Sequence, residues 1–425
     1  MNRYNTVVIG AGLSGLVTAC HLARSGQKVL LVAQGVGALL LTSGCIDVLG
    51  FQPASSKKPV KDPLGSLDDF LADNPNHPYG VVGKNTIQTG LTTFQQIING
   101  AVTYTGTAEK NWLLPSPAGA IHPTCLAPTS LANGELSQTG SMLIVGFGEL
   151  RDFYPGYISQ NLNAQQLGIE ATPLTIEAPP PVSGRINITP IELAKAFEQA
   201  GFRESVIAKI KRHSKKFDRV GFPAVLGLTR HKQVLTDLEK KLGITIFEIS
   251  TLLPSAPGRR LFEALRTAFL QANGRLIIGS KVVDGAIEAG RVTQIRFETS
   301  NRLRTVKADN FVLATGGIFG GGIQTDAGGQ VWEPVFGLPI NAEPDRHKWF
   351  SKRFLDSNGQ PVARFGVQVN QHLNPVDQNS RPIAPNLYIA GSLMANADWT
   401  RGRTGDGLAL ATAAAITDQI TQETV

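Results

Sequence analysis

The chain has 425 residues, 42% hydrophobic and 17% charged, a balance that excludes a disordered or low-complexity protein and leaves room for two domains, or for one cofactor domain with a large insertion. Its net charge of +7 is not accompanied by an aromatic-interleaved basic platform, so nucleic-acid binding is not expected. Cys20, Cys45 and Cys125 form no C-x-x-C pair, so no iron–sulfur ligand set and no other metal site is expected, and no apolar run approaches the ~20 residues that cross a bilayer.

The first element carries the most information. Val7-Val8-Ile9 reads as a buried strand that enters Gly10-Ala11-Gly12-Leu13-Ser14-Gly15, the G-x-G-x-x-G turn of a dinucleotide fold, and a helix with small, apolar spacing leaves it. A chain that starts almost directly on a strand is also expected to carry no signal peptide. The next strand, Lys28 to Val32, should end in an acid that holds an adenosine ribose. It ends in Ala33-Gln34 instead. The phosphate cradle is present and the usual adenosine handle is missing, which predicts FMN, with FAD as the alternative.

A glycine-rich exit leads to Thr42-Ser43-Gly44. From residue 51 to about 140 the chain is rich in Pro, Ser, Thr, Asn and Gln and reads as a loop-rich insertion. A buried strand at 141–146 restores order, and alternating elements follow: helices at 190–200, 231–242 and 258–273, strands at 219–225 and 244–249. The pattern then returns to the first type, with a strand at 274–278, a hairpin at 281–298, and buried strands at 308–314 and 386–391. The expected fold is α/β, a Rossmann-like doubly wound parallel sheet. Residues 1–50 and 274–425 would form a discontinuous flavin-binding domain, and 51–273 an inserted substrate or partner domain.

Three glycine-ended strands say more than one. In a doubly wound sheet the carboxyl ends of the strands converge where the ligand sits. Gly10, Ala11, Gly12, Ser14 and Gly15 form the phosphate turn, and Thr315, Gly316 and Gly317 end a returning strand. Gly391 and Ser392 end another, and Arg403, Thr404, Gly405, Asp406 and Gly407 open a second helix N-terminus, suited to the negative charge a flavin gains on reduction. Gln34, Thr42, Ser43 and Gly44 complete the cofactor candidates.

With Asp47 after Thr42-Ser43-Gly44-Cys45-Ile46, and with Asn76-His77-Pro78-Tyr79, Leu253-Pro254-Ser255, Gly258, Arg260, Leu313-Ala314-Thr315-Gly316-Gly317 and Phe365-Gly366-Val367, the chain resembles the B-subunit family of anaerobic glycerol-3-phosphate dehydrogenase over nearly its whole length. The resemblance implies an FMN flavoprotein that oxidises sn-glycerol 3-phosphate to dihydroxyacetone phosphate with a homologous A subunit. Electrons would pass to an iron–sulfur C subunit at the membrane, then to quinone and fumarate or nitrate. It implies a peripheral position on the cytoplasmic side of the inner membrane, held there through partners. The loop at 399–407 departs from the longer glycine run expected of that family.

A phosphorylated substrate calls for arginine, whose planar fork grips two oxygens. Arg260 and Arg364 are the candidates, each with a surface or structural ion pair as its alternative. Oxidation of an alcohol calls for a base, and His77 is the candidate, with a structural histidine as its alternative. Two other readings stay open: a flavin-binding electron-transfer or scaffold subunit without substrate chemistry, and a fumarate-reductase-like dehydrogenase of a small dicarboxylate.

Overall fold

A computed structural model describes residues 3–56, 58–300, 302–356 and 358–422. It divides into two compact units. The first comprises 1–38, 47–101 and 263–425, the second 39–46 and 102–262.

The first unit is built on a seven-stranded sheet. Its order is Arg275–Ile278, Val29–Ala33, Arg3–Ile9, Arg302–Leu313, Arg291–Thr299, Val282–Glu288, with Leu387–Ile389 also paired to Arg302–Leu313. The pairs from Arg275–Ile278 to Arg302–Leu313, and that with Leu387–Ile389, are parallel; the hairpin 282–299 adds two antiparallel strands. The parallel strands are near-continuous apolar runs because both faces are covered. Val7, Val8, Leu31, Val312 and Leu313 are all fully buried. The helices Leu13–Arg24, Lys84–Ile98 and Gly405–Gln422 pack on one another.

The expected boundary at residue 51 moves accordingly. Residues 47–101 carry helices (Leu67–Asp73, Tyr79–Val82, Lys84–Ile98) and belong to the first unit, not to a loop-rich insertion. Lys84–Ile98 has one apolar face, with Ile87, Leu91, Phe94, Ile97 and Ile98 buried. That face needs a partner, and the alanine-rich helix Gly405–Gln422 lets it come close. A Cβ on Gly90 would stand 2.5 Å from the Leu410 carbonyl oxygen.

The second unit has its own parallel sheet of four strands, in the order Thr245–Ile249, Arg219–Pro223, Gly140–Phe147, Ile169–Ile176. Helices Pro155–Ala164, Pro190–Phe197, Ala200–Ser214 and His231–Leu242 accompany it. The stretch read as one helix at 190–200 is the start of two. Pro190–Phe197 begins in a capping box, where Thr189 and Glu192 satisfy each other's backbone N–H groups. The aromatic core places Phe197 edge-on to Phe147, Phe202 and Phe222, with centroids 5.8, 5.1 and 6.1 Å away. The strand Ile169–Ile176 has no counterpart among the expected elements. Its alternating buried and exposed residues mark an edge strand, and its Thr and Pro content hides the pattern.

Candidate functional site

The strand Arg3–Ile9 delivers Gly10 at φ +113°, which a side-chain-bearing residue rarely adopts. A Cβ at Gly10 would run into the backbone of Ala314, and one at Gly15 into the carbonyl of Gly10. Gly12, the N-cap of Leu13–Arg24, has nothing within 4 Å of a Cβ position, no side-chain cap and no acid in the helix's first turn. The first N–H groups of that helix are therefore left without a side-chain cap, the arrangement that suits a diphosphate.

The other two strand ends meet this turn. Ala314 N–H donates to the Ile9 carbonyl (2.9 Å), and Ala390 N–H to that of Leu313 (3.0 Å). Gly317 N–H donates to Ser392 Oγ at 3.3 Å. A Cβ on Gly391 would stand 2.9 Å from Ser14 Oγ. So Gly10, Ser14, Gly15, Ala314, Gly317, Gly391 and Ser392 form one closed set of contacts. The Thr315 hydroxyl inside this set is buried and has no hydrogen-bond partner, a polar atom left for a ligand. Small residues, open N–H groups and an orphaned hydroxyl fit a flavin nucleotide. Gln34 sits exposed at the end of Val29–Ala33, at the position where the acid is expected, and the Ala33 carbonyl accepts from Ser280 N–H at 3.0 Å.

The helix Gly405–Gln422 joins the set through Thr412, whose hydroxyl accepts from Gly391 N–H at 3.0 Å. Ala409 lies 3.9 Å from a Cβ position on Gly391, which leaves the helix N-terminus about 6 Å further along its axis. That terminus is organised by Asp47. Its Oδ2 accepts from Arg403 Nη1 at 3.0 Å, its N–H donates to Asp406 Oδ2 at 3.2 Å, and its carbonyl accepts from Gly407 N–H at 2.9 Å. Arg403 turns the chain into the helix at φ +55°. Asp406 keeps some accessible surface but is deeply surrounded. Desolvation and the neighbouring Asp47 carboxylate push its pKa up to about 7, against the pull of Asp47 N–H and Arg403. The sequence gives no sign that Asp47 serves this corner, because 359 residues separate it from Asp406.

His77 underlies the same corner and does not have the freedom of a base. Its Nδ1 accepts from Tyr79 N–H (3.1 Å), which leaves the proton on Nε2, 3.2 Å from Thr404 Oγ1. The ring lies between Phe70 and Tyr79, with centroids 4.9 and 4.7 Å away, and burial pushes its pKa down to about 3. The Tyr79 hydroxyl reaches the carbonyls of Val48 (2.8 Å) and Thr404 (2.9 Å). His77 is thus a neutral strut under Thr404.

Arg260, expected as a phosphate ligand, is engaged elsewhere. It lies in the second unit, where its guanidinium grips both oxygens of Glu248 at 2.7 and 2.9 Å and its Nε donates to the Gly227 carbonyl at 2.8 Å. The two side chains are 4% and 0% exposed. Burial alone would raise the Glu248 pKa, but the charges of Arg260 and His231 and the hydrogen bonds outweigh it and hold it near 2. With Nε, Nη1 and Nη2 each engaged in the buried pair, Arg260 is held away from a phosphate role. Arg364, in the first unit, is half-exposed; it donates to the Asn358 carbonyl (3.0 Å) and lies 3.7 Å from Asp398.

Thr42, Ser43 and Gly44 belong to the second unit. Thr42 Oγ1 donates to the Leu39 carbonyl at 3.1 Å, Ser43 Oγ accepts from Cys45 N–H at 3.2 Å, and Tyr104 donates to the Gly44 carbonyl. All three cysteines are buried, with Cys20 Sγ donating to the Leu265 carbonyl (3.3 Å) and Cys125 Sγ to that of Ile46 (3.2 Å), and the described residues hold no group of His, Cys, Asp and Glu that could bind a metal.

The family of FAD binding domains matches residues 5–415. The B subunit of the anaerobic glycerol-3-phosphate dehydrogenase of Vibrio cholerae is 29% identical over 433 residues, covering 99% of this chain and 97% of that protein. A protein of Halobacterium salinarum described as the probable B subunit of the same dehydrogenase is 32% identical over 416 residues, covering 96% and 95%. Among solved structures, a 3-ketosteroid delta1-dehydrogenase from Sterolibacterium denitrificans aligns over both full chains at 12% identity, with a TM-score of 0.47. The FAD match does not support FMN as the first expectation from Ala33. An acid at that strand end supplies only the ribose contact, and its loss leaves the diphosphate cradle intact. Glycine turn, returning strands and sequence relatives agree: the chain is a flavoprotein oxidoreductase that belongs to the FAD binding domain family and, within it, to the B-subunit family of anaerobic glycerol-3-phosphate dehydrogenase.

Proposed function

We propose that this chain is the FAD-carrying B subunit of a complex that oxidises sn-glycerol 3-phosphate to dihydroxyacetone phosphate. The observation that carries the reading is the closed set of three glycine-ended strands around the open N-terminus of Leu13–Arg24. A bound flavin would supply the two-electron acceptor for oxidation of the alcohol. In this chain Gly10, Ala11, Gly12, Ser14 and Gly15 would hold the diphosphate, and Thr315, Gly316, Gly317, Gly391 and Ser392 would line the ring system. Arg403 and the first N–H groups of Gly405–Gln422 would favour negative charge at its far edge. Gln34 would take the ribose end. Thr42, Ser43 and Gly44 stay cofactor candidates on their sequence motif alone.

Electrons would leave through a homologous A subunit and an iron–sulfur C subunit to quinone, and the chain would reach the inner membrane through those partners. Among the described residues, no helix is long and apolar enough to cross a membrane.

A second reading has a specific observation behind it. His77 is neutral with both ring nitrogens engaged, and Arg260 is locked on Glu248, so the expected base and one expected phosphate ligand are both withdrawn. On that reading the chain binds flavin and relays electrons for a catalytic partner. Anaerobic titration separates the two. Bleaching of the flavin by glycerol 3-phosphate in the chain alone supports the first. Bleaching only after addition of the A subunit supports the second, and bleaching by succinate overturns both.

A further inference from the structure

The first unit exposes an apolar cluster beside the flavin site, where a Cβ on Gly405 would stand 2.9 Å from Trp399 Cβ. Phe354 and Leu355 are 92% and 88% exposed, and Phe350, Phe319 and Trp399 also stand out from the surface. These residues come from three separated stretches that the structure ties together. Phe319 and Trp399 pack edge-to-face at 6.1 Å. Arg364 bridges from the Asn358 carbonyl to Asp398, next to Trp399, and Gly359 leaves no room for a Cβ beside Arg401.

The loop that presents Phe354 is built, with its backbone held from inside. Gln360 Nε2 donates to the carbonyls of Arg353 and Phe354, both at 2.9 Å, and its Oε1 accepts from Ser351 N–H at 2.7 Å. Ser351 Oγ donates to the Gly359 carbonyl at 2.9 Å. Trp349 anchors the base, buried edge-on against Phe365 at 5.5 Å with its Nε1 donating to the Glu343 carbonyl. Trp349 points in, and Phe350, Phe354 and Leu355 point out. Ordering a loop in order to expose its largest apolar side chains is unfavourable for an isolated chain, and such patches mark interaction surfaces.

We infer that this cluster is the docking surface for a partner subunit, with Phe354 and Leu355 entering an apolar hollow ringed by carboxylates. The charge around it defines the partner. Lys352 and Arg353 directly precede Phe354, Arg364 and Arg401 lie at Asp398 and Gly359, and Arg346 stands over the Trp349 ring at the base of the loop. Phe, Trp and Arg at the centre of a patch are the composition of protein interfaces. Asp345, Asp356 and Asp398 among the basic residues disfavour an anionic bilayer, which would meet them with repulsion. The inference rests on the reading of this chain as one subunit of a complex.

The test uses the full chain with its A subunit and measures affinity by sedimentation. Phe354→Ser with Leu355→Ser should weaken assembly about tenfold or more. Lys352→Glu with Arg353→Glu should weaken it several-fold and flatten its salt dependence. Leu303→Ser, an exposed residue on the hairpin 291–313, should change nothing, and all three should keep the wild-type flavin content and melting temperature. Wild-type affinity in both double variants overturns the inference, as does a wild-type chain that never binds the A subunit. Co-sedimentation with phosphatidylglycerol vesicles that is lost in the variants, with the assembly intact, overturns it in favour of a membrane. Loss of glycerol 3-phosphate bleaching in an intact assembly would remove the proposed function and leave the surface standing.

Discussion

In the first unit the parallel strands end in Gly10, Ala33, Thr315–Gly316 and Gly391, whereas in the second unit the neighbouring ends of Arg219–Pro223 and Thr245–Ile249 are closed by Glu248 and Arg260. Both sheets have the geometry that converges on a ligand at the carboxyl edge. One edge is lined by glycines and other small residues in close backbone contact and keeps an unpaired Thr315 hydroxyl. The other is filled by an ion pair that accepts from Leu226 N–H (2.9 Å), from Ser130 Oγ (2.8 Å) and lies 3.8 Å from His231 Nε2. Architecture alone therefore does not make a site; what the strand ends leave unsatisfied does.

The largest effect should come from breaking the filled edge. Arg260→Met strands Glu248 as an unpaired buried charge and should cost about 3–5 kcal/mol, read as a shift in the urea midpoint. Flavin content per folded chain should stay unchanged; loss of flavin with stability intact would show that Arg260 serves a ligand. The open edge should respond the opposite way. A Cβ at Gly12 meets no atom in the protein, so the apo chain of Gly12→Val should melt within about 0.5 kcal/mol of wild type while losing most of its bound flavin. A variant that keeps its flavin would remove the diphosphate role of this turn.

Acid titration sharpens the comparison within the first unit. His77 titrates near 3 in the fold against 6.5 unfolded, so the unfolded chain binds the extra proton and stability falls as pH drops through that window. Asp406 titrates near 7 against 3.8, so the folded chain binds the extra proton and its contribution to stability rises on acidification over 7 to 3.8. Between about 4 and 6.5 the two slopes oppose. His77→Gln should uncover a chain that gains stability on acidification, and Asp406→Asn one that loses up to about 1.4 kcal/mol per pH unit. Urea midpoints across pH 4.5 to 7 read both, and parallel profiles for the two variants would refute the assignment.

The glycine turn, the returning strands and their convergence were legible because each is a local pattern, an apolar run closed by glycine. The family resemblance rested on the same kind of short motif. What stayed hidden depends on distant partners. Arg260 reads as a phosphate ligand until Glu248 is seen to face it, and His77 as a base until Tyr79 and Thr404 occupy its two nitrogens. The helix Lys84–Ile98 sits in a stretch whose prolines and polar residues suggest loops. Its apolar face acquires meaning only against the alanine-rich helix 300 residues on. Ala33 misled for another reason. It removes one contact of a nucleotide, and the remaining backbone cradle does not depend on it.

Whether the glycine-ended strands of the first unit hold a flavin dinucleotide is read by denaturing the purified chain and identifying the released chromophore by chromatography. FAD should be released at about one per chain from the wild type, with little from Gly12→Val. Release of no flavin from a folded wild-type chain would rule the site out.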